Sequence, residues 1–184
     1  MADEAIDVAL ALADAFERAH LSYAIGGAIA YGIWGIPRYT KDADVNVFVD
    51  DIARVIEIAA SCGVRIDPAD AARHAPDGMI VGWRGDIRAD LFLPSIDFSF
   101  EAERRRVRAT IEGRPVWVLS AECITVFKLL FFRGKDIVDL ERLIGIQGKR
   151  LDVAWIRAQI VDMAGADDVR VKRWDELVAE HGEK

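Results

Sequence analysis

Apolar and polar residues alternate along this chain with two different periods, and the change of period divides it into a front and a back. Ile6, Ala9, Leu10, Ala13 and Phe16 recur at helical spacing, with Asp3 placed to cap that helix. LSYAI reads as a short strand ending at Gly26-Gly27, and AIAYGIW as a short helix stopped by Gly35 and Pro37. In RYTKDADVNVFVD, residues 38–50, Val45, Val47 and Val49 alternate with Asp44, Asn46 and Phe48, the two-residue period of a strand over 44–49. A helix over 52–61 follows, capped by Asp50 or Asp51. From Gly63 to Gly78 the pattern supports a short strand and a loop. MIVGW and DIRADLFL flank Arg84-Gly85 as a hairpin, and VRATIE and PVWVL flank Glu112-Gly113 as a second, with helical FSFEAERR between them. After Ser120 the period is helical, with helices expected near 121–132, 136–144, 153–162 and 167–181. The expectation is an α/β (α+β) front over 1–119 and a C-terminal helical part over 120–184 packed on it, since no linker composition separates the two.

The 184 residues suit one domain, or a core with a small appendage, and are 52% apolar and 30% charged, which is ordinary for a soluble globular protein. A net charge of −7 removes the whole surface as a nucleic-acid footprint and leaves only local patches, of which RRRVR at 104–108 is one candidate. Cys62 and Cys123 fit no metal spacing and read as reduced core residues, and His20, His74 and His181 are too scattered for zinc. Asp3 and Glu4 with no basic stretch argue against a signal peptide. The most apolar run, YAIGGAIAYGIWGIP, is too short and glycine-rich to span a bilayer. A cytoplasmic protein without membrane contact is expected.

Asp42 and Asp44 change this general picture. At i and i+2 of a strand they point the same way, with Cα atoms roughly 6–7 Å apart. Their charges repel unless a cation intervenes or one carboxyl is protonated. Hard oxygen ligands of this kind suit Mg²⁺, although two aspartates facing solvent at a strand end satisfy the same spacing. Gly26-Gly27, between a strand and a helix, is a turn where backbone N–H groups can approach a phosphate, or an ordinary tight turn. In IRADLFL, Ile87, Ala89, Leu91 and Leu93 form one face and Asp86, Arg88, Asp90 and Phe92 the other. Asp90 therefore sits mid-strand, where a carboxylate is costly without a partner, and would join the pair if its strand lies beside theirs. Arg38 and Thr40 precede the pair as phosphate contacts or as exposed loop residues.

Together, IGGAIAYGIWGIPRYTKDADVNVFV and the later RADLFL resemble the polymerase-β-like nucleotidyltransferase superfamily, most closely its small bacterial members of the AbiEii-like, minimal type. The resemblance covers about Ser22 to Leu93, with a weaker echo from Lys128 to Leu143. It implies a mixed sheet flanked by helices and transfer of a nucleoside monophosphate from an NTP with Mg²⁺. It implies that Gly26 and Gly27 hold the β- and γ-phosphates, that Asp42 and Asp44 coordinate metal, and that Asp90 completes the site and helps activate the acceptor hydroxyl. No serine follows Gly26, as in other Gly-Gly members. Ala28 to Tyr31 lack the charges that tRNA-end-repairing relatives carry in this helix.

In the helical part, Ile124, Phe127, Leu130 and Phe131 form an expected apolar stripe, with Lys128 beside it. Its stem can snorkel to water, or its ammonium can face a phosphate or carboxylate in the cleft as a catalytic group. The resemblance favours a functional Lys128 and a functional Lys135–Asp139 segment; Asp136 also fits as a helix cap and Asp139 as a first-turn acid. Arg133 reaches phosphate or decorates a helix end. Trp34, Trp83, Trp117, Trp155 and Trp174 are expected to pack, with any one of them free to stack on a base. The expected function is an Mg²⁺-dependent nucleotidyltransferase using an NTP. Its acceptor is a tRNA, a small molecule or a protein, and a role as a toxin–antitoxin component with a protein partner is open. The rival is a non-catalytic nucleotide- or protein-binding module on the same fold.

Overall fold

A computed structural model describes residues 4–182. Asp3, expected as a cap, lies outside the described residues. The chain divides into two compact units. The first holds the described residues up to Ala30 together with Arg38–Leu119, and the second holds Tyr31–Pro37 with the chain from Ser120 onward. The 31–37 segment was expected in the front; the fold groups it with the back.

In the first unit, α1 (Glu4–Arg18) leads into β1 (Tyr23–Ile25), and α2 (Gly27–Trp34) starts at the glycine turn and passes into the second unit at Tyr31. The unit resumes with β2 (Asp42–Val47), α3 (Ile52–Ser61), β3 (Arg65–Ile66), α4 (Pro68–His74), β4 (Met79–Arg84), β5 (Ile87–Phe92), α5 (Phe98–Arg104), β6 (Val107–Ile111) and β7 (Arg114–Val118). The strands form one sheet in the order β3-β4-β5-β2-β1-β7-β6. It is mixed: β2 runs parallel to β5 and β1 parallel to β7, while the other pairs are antiparallel.

The strand period decides what each face carries. Ala43, Val45, Val47, Ala89 and Leu91 are fully buried. Tyr23 is in register with Val47, and its ring meets Phe16 of α1 at 6.1 Å between centroids. The α1 helix therefore covers this face with Val8, Leu12 and Phe16. Truncating Leu12 to alanine would cost about 2–5 kcal/mol. The opposite face carries Asp42, Asp44, Asn46, Arg88 and Asp90.

Two expectations are corrected in this unit. The strand expected over 44–49 runs over Asp42–Val47, because pairing with β5 begins at Asp42. Both aspartates thus pair with β5, Asp42 at the exposed first position of the strand and Asp44 within it. The stretch read as a strand and loop contains α4, where Pro68 opens the helix and the Asp67 carboxylate accepts the N–H groups of Ala69 and Asp70 at 2.8 and 3.2 Å. Asp51, not Asp50, caps α3.

The second unit contains α6 (Ala121–Phe131), α7 (Gly134–Gln147), α8 (Val153–Ala164) and α9 (Val169–His181). Ser120, Asp152 and Asp168 cap α6, α8 and α9, each side chain accepting a first-turn N–H. Phe132, with φ at 51°, ends α6 in the left-handed conformation. Leu129, Leu140, Leu143, Ile156, Ile160, Trp174 and Leu177 fill the interior, and the Trp174 indole donates to the Val153 carbonyl at 3.2 Å. The stripe expected on α6 is rotated: Phe131 is half exposed, while Thr125 and Lys128 are buried.

Candidate active site

The parallel register of β2 and β5 sets Asp44 directly beside Asp90 and Asp42 beside Arg88. Residues paired in this way present their side chains to the same face, so the three aspartates share one side of the sheet. Asp42 is exposed, and Asp44 and Asp90 are partly covered. The Arg88 guanidinium Nε donates to Asp90 Oδ1 at 2.7 Å. Burial pushes the Asp90 carboxyl above the ordinary carboxylate range; Arg88 opposes the shift and the Asp42 charge adds to it.

The glycine turn closes against the same carboxylates. The Gly26 N–H donates to the Asp44 carbonyl at 2.8 Å, which locks the end of β1 onto β2. A Cβ on Gly26 would come within 2.7 Å of the Asn46 amide. Gly27 has φ at +54°, and a Cβ there would fall 1.7 Å from Asp44 Oδ2. Only glycine permits both that backbone conformation and that approach. The Asp44 carboxylate thus lies against the first residue of α2, where the helix potential favours negative charge. Arg38 and Thr40 are on the approach to β2; Arg38 is exposed, and the Thr40 hydroxyl receives the Asp42 N–H at 3.3 Å.

The donor set is three hard carboxylate oxygen groups on one face, and that chemistry fits a divalent cation. Among the described residues, no group of three or more His, Cys, Asp or Glu is drawn close enough to enclose a metal ion. Arg88 is bonded to Asp90. Asp42 and Asp44 are the residues that would hold the ion, with Asp90 beside them on the same face.

Lys128 belongs to the second unit. Its stem does not carry the ammonium to water: the group is buried, donating to Asp139 Oδ2 at 2.6 Å, 3.5 Å from Asp136 Oδ1 and 5.0 Å from the centre of the Tyr31 ring. The Tyr31 hydroxyl donates to the Asp139 carbonyl at 3.2 Å. Arg133 grips Asp136 through Nε at 2.7 Å, and its own N–H donates to the same carboxylate at 3.1 Å. Asp136 was expected as the cap of α7; it instead sits at the third helical position and reaches back to residue 133, because α7 starts at Gly134. Burial alone would push the Asp136 carboxyl up, but Arg133 and Lys128 overcome this and hold it below the ordinary range.

Three arginines of the basic run at 104–108 are paired locally. Arg104 pairs with Glu101, Arg106 with Glu103 and Arg108 with Glu17. Arg106 and Arg108 stack on the Trp117 ring at 4.6 and 4.7 Å. Sequence reasoning missed three contributors to these clusters. Arg88 was visible as the same-face neighbour of Asp90, and Asn46 as a polar residue in an apolar strand. Tyr31 gave no signal, because its partners come from distant helices.

No protein-family model and no curated protein matches the chain. Solved structures do. The antibiotic-resistance factor ANT(2'')-Ia in solution is 19% identical with a TM-score of 0.66, covering 90% of this chain and 96% of its own. The crystal structure of ANT(2'')-Ia with adenylyl-2''-tobramycin gives 20% and 0.64, covering 86% and 98%. A Thermotoga maritima protein designated a nucleotidyltransferase gives 14% and 0.52, covering 76% and 92%. The fold of this chain is the polymerase-β-like nucleotidyltransferase fold. At these identities the likeness is one of architecture. Among the described residues no helix is long and apolar enough to cross a membrane.

Proposed function

We propose that the protein transfers a nucleoside monophosphate from an NTP to an acceptor hydroxyl, with Mg²⁺. The observation that carries this reading is the Asp44–Asp90 register with Asp42 on the same face, next to a glycine turn that only glycine can form. The likeness to ANT(2'')-Ia, seen with adenylyl-2''-tobramycin, supports the same class of chemistry. Gly26, Gly27 and the start of α2 would receive the β- and γ-phosphates, with Arg38 and Thr40 alongside. Asp90, its carboxyl raised by burial, would accept the acceptor's proton. The acceptor oxygen then bonds to the α-phosphorus as the bond to the bridging oxygen breaks, and pyrophosphate leaves. Divalent ions held by Asp42 and Asp44 would supply positive charge to the attacking and leaving oxygens. Lys128, neutralised by Asp139 and Asp136, enters this reading as an anchor of α7.

The test is pyrophosphate release and label transfer from each NTP with Mg²⁺ and a total cell extract. Wild-type protein should label one fraction, and Asp42→Asn or Asp44→Asn should abolish labelling while circular dichroism stays unchanged. Full activity in either variant, or no transfer by the wild type, overturns the proposal. The Arg88–Asp90 pair favours one alternative, a non-catalytic nucleotide-binding module in which that ion pair is permanent. Calorimetry showing NTP binding without turnover would select it.

A further inference from the structure

Trp83 is 47% exposed, and nothing in the core requires it to be. It lies on β4 in register with Arg88 of β5 on one side and Arg65 of β3 on the other. Arg88 is in turn in register with Asp42 of β2. Cross-strand partners share a face, so Arg65, Trp83, Arg88 and Asp42 form one line across the site side of the sheet. Trp83 is also a diagonal neighbour of Asp90, about 7–8 Å away between Cα atoms. The glycine turn lies on the other side of the aspartates, next to β2.

We infer that Arg65, Trp83 and Arg88 form the acceptor platform, and that the acceptor is a nucleotide, free or at the 3′ end of a strand. This inference rests on the nucleotidyl-transfer reading and specifies its second substrate. An exposed indole offers a stacking face for a base, and flanking guanidiniums offer contacts to phosphate. A base stacked on Trp83 carries its ribose hydroxyls toward Asp90, the group assigned to take the proton. The charge of the line selects among acceptors. An aminoglycoside such as tobramycin is a polyamine and would meet two arginines, and a protein hydroxyl has no ring to stack. Arg65 forms no ion pair among the described residues, whereas Arg104, Arg106 and Arg108 of the basic run are paired with glutamates. Arg65 thus sets an exposed cation beside the exposed indole, in line with the site.

The experiment is fluorescence anisotropy of a labelled single-stranded oligoribonucleotide with a free 3′ hydroxyl, without NTP or Mg²⁺, and with adenosine 5′-monophosphate as competitor. The wild type should bind. Trp83→Leu should weaken binding by roughly tenfold, while Trp83→Phe keeps most of it. Arg65→Ala should weaken binding of all sequences alike and lower the salt slope by about one. Arg65 is exposed, so this variant reports even where a Trp83 variant folds poorly. Competition by the mononucleotide identifies a free-nucleotide acceptor, and its failure identifies a strand end. No binding of either probe, or binding unchanged in both Trp83→Leu and Arg65→Ala, overturns the inference. Trp83-dependent binding without pyrophosphate release keeps the platform and removes the transfer reading; pyrophosphate release with neither probe bound does the reverse.

Discussion

In the sheet, Arg88 bonds to Asp90 beside the exposed Asp42, whereas in the helical unit Lys128 and Arg133 bond to the buried Asp139 and Asp136. Both clusters bring carboxylates together inside a fold, and their exposure to solvent separates them. In the helical cluster the acids and Lys128 are buried, and Lys128 and Arg133 bond directly to them. The sheet cluster lies on a partly open face, where burial first and the Asp42 charge second raise the pKa of Asp90. Carboxylates on a face open to solvent can take up an external cation or a proton, and buried ones bonded to basic groups hold the fold together.

The largest effect expected from this contrast is on activity. Asp44→Asn keeps the shape beside Gly27 and removes the charge, so turnover should fall by about 10²–10³-fold or more with little change in unfolding midpoint. Gly27→Ala tests the same contact sterically, since its Cβ would strike the Asp44 carboxylate; transfer should be lost and the melting temperature should drop as well.

Lys128→Met should reverse that ranking. It removes the ammonium bonded to the buried Asp139 carboxylate and close to Asp136, at a cost of about 3–5 kcal/mol in denaturant unfolding. The double variant Lys128→Met/Asp139→Leu should lose less than the sum of the two single changes, a coupling that a double-mutant cycle reads directly. Additive losses would break the claim that the helical cluster is a matched structural unit.

The carboxylate face was legible because the strand period is local. Asp42 with Asp44, and Asp90 with Arg88, each fall on one side of a strand whatever the fold around them. That the two strands are adjacent was legible only through the family resemblance, since pairing of β2 with β5 spans about forty residues of intervening chain. The fate of Lys128 was not legible, because its two carboxylates arrive on α7 and a single helix pattern cannot report them. Tyr31–Pro37 joined the helical unit for the same reason: Tyr31 bonds to Asp139 and the Trp34 carbonyl accepts from Gln147, and both contacts are remote in sequence. The Asp67-Pro68 signal of α4 was present and local, yet its helix is short and largely polar, so no apolar period announced it.

The smallest effect concerns pH. Arg133 and Lys128 hold the folded Asp136 carboxyl below its unfolded value. Its contribution is therefore complete above the unfolded pKa, about 3.9, and is lost as pH falls through the lower folded value. Asp168, held at about 2 by hydrogen bonds from Arg170, follows the same sign but is more open to solvent than Asp136, so screening leaves it a weaker lever. Chemical denaturation from pH 7 down to pH 2 should show the gap between wild type and Asp136→Asn narrowing below about pH 4, with a smaller and later change for Asp168→Asn. Equal narrowing in both variants would mean that burial adds nothing to the Asp136 pair, and the distinction between a closed cluster and a surface cap would fail at its most exposed point.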